Sequence, residues 1–189
     1  MTAFANSDRL RRFSNAMVIV TSIGIALIAG LMITVFFGSV ILVFFMPDWT
    51  FSLPLARLGV AGGDLALTPG RIAAAAAIIA VPVGVLLFGL WQARALFADF
   101  AGGRVFTLAN TRRLRDFAAC VLAQAILGPL SSAAVSVALT FSNPPGSGQF
   151  AISLSLDNYV ALIIGGVLLA VAWVMVEATR IADEHASFV

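Results

Sequence analysis

Residues 102–118 read GGRVFTLANTRRLRDFA. Four of the chain's eleven basic residues, Arg104, Arg112, Arg113 and Arg115, fall in this stretch, and long apolar runs flank it on both sides. A glycine pair followed by arginines suggests either a phosphate loop or a short polar connection between two buried helices. The first is excluded by pattern: the stretch lacks G-x-x-x-x-G-K-[ST], and no strand precedes it. The second is decided by what lies outward of it.

The 189 residues are 61% hydrophobic and 11% charged. Soluble domains run nearer 45–50% apolar and about 25% charged. That much apolar surface cannot be hidden in a water-soluble core, so the sequence implies a bilayer as solvent. Crossing about 30 Å of hydrocarbon takes roughly 20 helical residues. Four runs suffice: 16–46, 72–90, 117–139 and 159–176. Outer segments at 47–71 and 140–158 and an inner loop at 91–116 complete a single membrane domain. The first run follows Arg9, Arg11 and Arg12 but is about twice the length of a signal h-region and ends without a small-residue cleavage site, so it reads as an uncleaved span.

Arginine placement sets the expected orientation. With the N-terminus inside, nine arginines (9, 11, 12, 94, 104, 112, 113, 115 and 180) fall on the cytoplasmic side and only Arg57 and Arg71 fall outside. Both termini are expected in the cytoplasm. Lipid is the first partner this implies, and arginines near the surface each attract anionic headgroups by about 1 kcal/mol.

Boundary residues support the spans. Thr68-Pro69-Gly70 suits a helix start, Gly102-Gly103 a helix stop, and Thr107 or Asn110 the next cap. Asp157 or Asn158 is expected to open span four. In the outer segments, Trp49, Phe51 and Leu53 alternate, as do Phe150, Ile152, Leu154 and Leu156. Alternation of period two predicts strands. The fold class is therefore an all-α four-transmembrane-helix bundle, with a small extracytoplasmic antiparallel β-sheet expected to join both outer segments.

Little in the sequence carries chemistry. One Cys and one His build neither an internal disulfide nor a tetrahedral metal site. A net charge of +2 is too small to imply nucleic-acid binding. His185 has no triad partners nearby. The spans hold no ionisable residue at their centres, where pumps and transporters usually place one. Gln124 is the main strongly polar side chain within a span, and its expected role is a hydrogen bond across helices. Ser131, Ser132 and Ser136 can bond back to their own helix. Glu177, Arg180, Asp183 and Glu184 form a charged end to span four, with Arg180 spaced to meet Glu177 and Glu184. A clasp of Arg113 or Arg115 against Glu177 is expected at the inner boundary. Small residues recur four apart at Ala26/Gly30, Ala161/Gly165 and Gly166/Ala170, suiting close helix approach within one bundle or in a homo-oligomer.

Two segments carry a family resemblance. FADFAGGRVFTLANTRRLRDFA (97–118) resembles a bacterial membrane-protein loop of the form G-x-[IV]-F-[ST]-x-x-N followed by a basic helix start. EATRIADEHASFV (177–189) resembles the same family's tail, roughly E-G-x-x-L-x-E-E-x-x-L-T-V. The family is domain of unknown function 2975, whose members have four spans. The matching positions are Gly103, Phe106, Thr107, Asn110, Glu177, Asp183 and Glu184; Ala178 and Ser187-Phe188 depart from the pattern. The resemblance implies a bacterial membrane protein with no agreed activity and supplies no catalytic residues; with no cluster of titratable groups in the sequence, a non-enzymatic protein of the bacterial inner membrane without a cofactor is expected. Genes for its members often neighbour a small helix-turn-helix regulator. It therefore implies a cytoplasmic regulator protein as a partner, touching the loop and tail in a regulatory or sensory role. A small transporter or channel subunit is the alternative.

Overall fold

The computed structural model describes residues 2–46, 51–54, 64–104, 107–140 and 155–186. Four helices carry the chain: α1 (Thr2–Phe45), α2 (Pro69–Ala101), α3 (Leu108–Thr140) and α4 (Leu156–Ala186). All four are long and apolar enough to cross a membrane. At 1.5 Å per residue, the 44 residues of α1 extend about 66 Å and the 33 of α2 and of α3 about 50 Å. Hydrocarbon occupies about 30 Å of that, so every helix carries polar turns beyond its apolar stretch.

Local chemistry sets the boundaries. Met46 precedes Pro47, and a residue before proline is pushed out of the helical region. Pro69 occupies the first position of α2, where its missing N–H costs nothing, and the first helical bond runs from the Ile72 amide to the Thr68 carbonyl at 3.1 Å. Helices α2 and α3 run on through Pro82 and Pro129. Helix α4 begins at Leu156, so Ser155 stands at the capping position. Asp157 and Asn158, expected to start this helix, sit instead in its first turn.

Strands β1 (Phe51–Pro54) and β2 (Asp64–Leu67) pair antiparallel, with Phe51 opposite Leu67 and Pro54 opposite Asp64. A sheet joining both outer segments is not what the described residues show. Their two strands both come from the first segment, and Leu156, read as the end of a strand, starts α4, where its neighbours follow a helical period. Residues 141–154, which carry the rest of that alternation, lie outside the described residues, as does Trp49.

The chain divides into two compact units. One comprises residues 1–28, 85–125 and 156–189; the other comprises 29–84 and 126–155. In the first, most buried residues are small, among them Ala93, Ala118, Cys120, Ala125 and Ala172, with Ser14 and Thr21; Leu96 is a larger one. Large apolar side chains point out instead, as with Leu27 at 68% and Val174 at 68% exposure. This reverses a soluble core. Lipid is as apolar as leucine, so association favours small residues that let backbones approach. A Cβ on Gly89 would lie 2.9 Å from the Cys120 Cβ, and one on Gly165 would lie 2.7 Å from the Leu122 Cγ. Those two glycines bring α2 and α4 close to α3. Gly166, by contrast, has open space around it.

The second unit holds the hairpin and the remaining helix ends. Ala76, Ala133 and Ser39 are buried there, while Leu31 and Phe45 are exposed. Gly30 has nothing near it. Ser39 bonds to the Phe36 carbonyl, Ser131 to Leu127 and Ser132 to Pro129, at 2.8, 2.6 and 3.1 Å. These hydroxyls are satisfied by their own helices, the default for serine in an apolar helix.

Candidate functional site

The connector between α2 and α3 is built by its own sequence. Helix α2 ends in a Schellman motif: the Gly103 amide bonds to the Phe100 carbonyl and the Arg104 amide to the Asp99 carbonyl, both at 3.0 Å. Gly103 has φ +80°, a left-handed conformation that a side chain would strain. Three residues on, Thr107 caps α3. Its hydroxyl accepts the Asn110 amide at 3.2 Å, and its carbonyl accepts the Thr111 amide at 3.1 Å.

Asn110 is the keystone of this turn. It and Thr111 are fully buried. The Asn110 amide group reaches back six residues to donate to the Arg104 carbonyl at 2.5 Å, so the start of α3 holds the chain that has just left α2. Its oxygen accepts from Arg113 at 3.5 Å. Thr111 bonds back to the Thr107 carbonyl at 3.2 Å.

Asp99, on the last turns of α2, gathers the charges. Arg104 donates to one of its oxygens at 2.5 Å, and Arg113 donates to the other. Arg113 also reaches the Ala95 carbonyl at 3.4 Å. Asp99 follows the apolar run 72–90 by nine residues, in the polar end of α2. The hydrogen bond from Arg104 holds its carboxyl below the ordinary range; burial opposes this, and the positive charge of Arg113 supports it.

The expected clasp of Arg113 or Arg115 against Glu177 is thus replaced. Arg113 clasps α2 through Asp99, Arg115 bonds its sequence neighbour Asp116 at 3.0 Å, and Glu177 pairs with Arg180 one turn along α4 at 2.6 Å. Both remaining pairs are local, which long side chains on exposed turns reach at lower entropic cost than a cross-helix contact. Asp99 was not singled out by sequence. The available signal was that it is the sole carboxylate among five arginines between residues 94 and 115.

Arg112 is exposed and has no partner among the described residues; Arg104 and Arg115 keep 71% and 54% of their side chains exposed. Phe106 lies outside the described residues, as do the side chains of Asp183 and Glu184. The structure therefore brings together Gly103, Arg104, Thr107, Asn110 and Arg113, with Arg112 and Arg115 on the following turns. It shows Glu177 and Arg180 as a separate pair.

A family model described as "Protein of unknown function (DUF2975)" matches residues 55–189. The chain belongs to that family. The match takes in β2, α2, the connector, α3 and α4, and begins just after β1. No curated protein and no solved structure matches the chain. In the connector, Gly103, Thr107 and Asn110 have distinct physical roles: left-handed helix stop, helix cap, and clamp across the turn.

Proposed function

We propose that the chain is a non-enzymatic protein of the bacterial inner membrane, with both termini in the cytoplasm. In this reading the connector at 102–115 and the tail from Glu177 form a docking face for a cytoplasmic regulator protein. Nine arginines against two support the orientation. One observation carries the docking face. The motif residues Gly103, Thr107 and Asn110 direct their bonds into fixing the turn, while Arg104, Arg112 and Arg115 stay exposed on it. A shaped surface with outward arginines suits an acidic protein partner, since electrostatic complementarity raises association rate and selects among partners.

The test is affinity capture from cells in which Arg112 and Arg115 are both reversed to Glu, with Arg71→Glu as control. Arg71 lies in the first turn of α2, at the far end of that helix from the connector. The reading predicts a defined cytoplasmic protein that wild type and the Arg71 variant retain and the double variant loses. Equal retention by all three contradicts it.

A further inference from the structure

Arg94 takes no part in the connector, yet its guanidinium is held in place. It lies on α2 beyond the apolar stretch that ends near Leu90. Its Nε donates to the Ser22 hydroxyl of α1 at 2.7 Å, and Ser22 in turn donates to the Val18 carbonyl at 2.7 Å. The same guanidinium sits 5.8 Å from the ring centre of Trp91, three residues earlier on α2. A contact at that distance is an attractive cation–π geometry. Both anchors leave the two terminal nitrogens unused, and among the described residues neither meets an acceptor.

The surroundings fit one class of ligand. Trp91 is 59% exposed, and Phe88 beside it along α2 and Ile19 and Ile23 flanking Ser22 on α1 are also exposed. Tryptophan is the side chain favoured where hydrocarbon meets headgroups. A fixed arginine at that level presents a planar pair of donors, which matches two oxygens of a phosphate. Apolar residues alongside offer acyl chains a surface. A guanidinium left without an anion at such a boundary gives up charge-assisted bonds that a phosphodiester supplies.

We propose that Arg94, oriented by Ser22 and Trp91, is a binding site for the phosphate of an anionic phospholipid. The site is separate from the connector arginines and does not depend on the docking face proposed above. Trp91 is its built-in reporter. In a Trp49→Phe/Trp173→Phe background, the protein is reconstituted in phosphatidylcholine vesicles containing a minor share of phosphatidylglycerol. Either the phosphatidylglycerol or an equal share of the phosphatidylcholine carries brominated chains, which quench indole fluorescence on contact. The proposal predicts that brominated phosphatidylglycerol quenches Trp91 as though enriched on the order of fivefold, the equivalent of about 1 kcal/mol for one surface arginine. Arg94→Gln brings the two lipids to parity, Arg94→Lys keeps part of the preference, and Arg104→Gln keeps all of it. Parity in the wild-type background overturns the proposal without recourse to any variant at Arg94. So does a preference that survives Arg94→Gln. Abolition of the preference by excess inorganic phosphate, at constant ionic strength, would assign the site to free phosphate and overturn the lipid reading.

Discussion

Replacing Asn110 tests the connector most sharply. Its side chain is fully buried and ties the start of α3 to the connector by donating to the Arg104 carbonyl at 2.5 Å. Asn110→Ala removes that donor and strands the carbonyl. Losing a part-buried hydrogen bond costs about 0.5–1.5 kcal/mol, and the cavity left by a fully buried side chain adds to that. For a domain of this length, 1 kcal/mol moves Tm by about 2–4 °C, so a fall on the order of 5 °C is expected. Asn110→Asp separates donation to the Arg104 carbonyl from attraction to Arg113. If attraction to Arg113 and its neighbours dominates, a carboxylate stabilises the turn. If donation to the Arg104 carbonyl dominates, the carboxylate sets oxygen against oxygen and is at least as damaging as alanine. The structure predicts the second outcome. The assay uses the chain's sole cysteine: Cys120 is buried, so a fluorogenic thiol dye in detergent reports unfolding on heating. An alanine variant that melts with the wild type, or an aspartate variant that melts above it, refutes the account of the turn.

Other substitutions test the remaining contacts in the same melting assay. Gly165→Val forces side-chain atoms onto Leu122 and should cost about 1–3 kcal/mol, whereas Gly166→Val, one residue on and in open space, should be near neutral. Gly103→Ala places a side chain at φ +80° and should cost about 1–2 kcal/mol. Arg113→Gln should lower Tm clearly because it leaves Asp99 short of a donor, while the adjacent Arg112→Gln should not. The Asp99 carboxyl is held below its ordinary range by Arg104 and Arg113, so its contribution is present above the unfolded value of about 3.9 and is lost as pH falls through the folded one. Asp99→Asn should therefore flatten the acid side of the stability profile, measured by the same dye or by circular dichroism.

Run length made the four helices legible, because only continuous apolar sequence crosses hydrocarbon. Their extent was less legible. Helix α1 reaches back to Thr2 and α3 to Leu108, well before the apolar runs at Ala16 and Phe117. Arg112, Arg113 and Arg115 are good helix formers without being apolar, so hydropathy passes over their turn. The stop at Gly102-Gly103 and a cap at Thr107 or Asn110 could be read because each depends on a local backbone requirement; the structure puts the cap at Thr107. The partner of Arg113 could not be read the same way. Asp99 is fourteen residues distant, and only the folded turn sets it beside Arg113 rather than near the equally charged Glu177. The outer alternation misled at Leu156, where a short period-two pattern runs into a helix whose sequence continues for 31 residues.

The central claim is that four helices cross the bilayer with the arginine-rich connector on the inner side. Its most direct test is labelling of a single engineered thiol at Ala109, exposed on the connector, in a Cys120→Ala background. Intact cells are treated with a membrane-impermeant maleimide before and after permeabilisation, and a second chain carrying Arg57→Cys serves as the outer reference. The account predicts that Ala109→Cys reacts only after permeabilisation, while Arg57→Cys reacts before it. Labelling of Ala109→Cys from outside intact cells would contradict it.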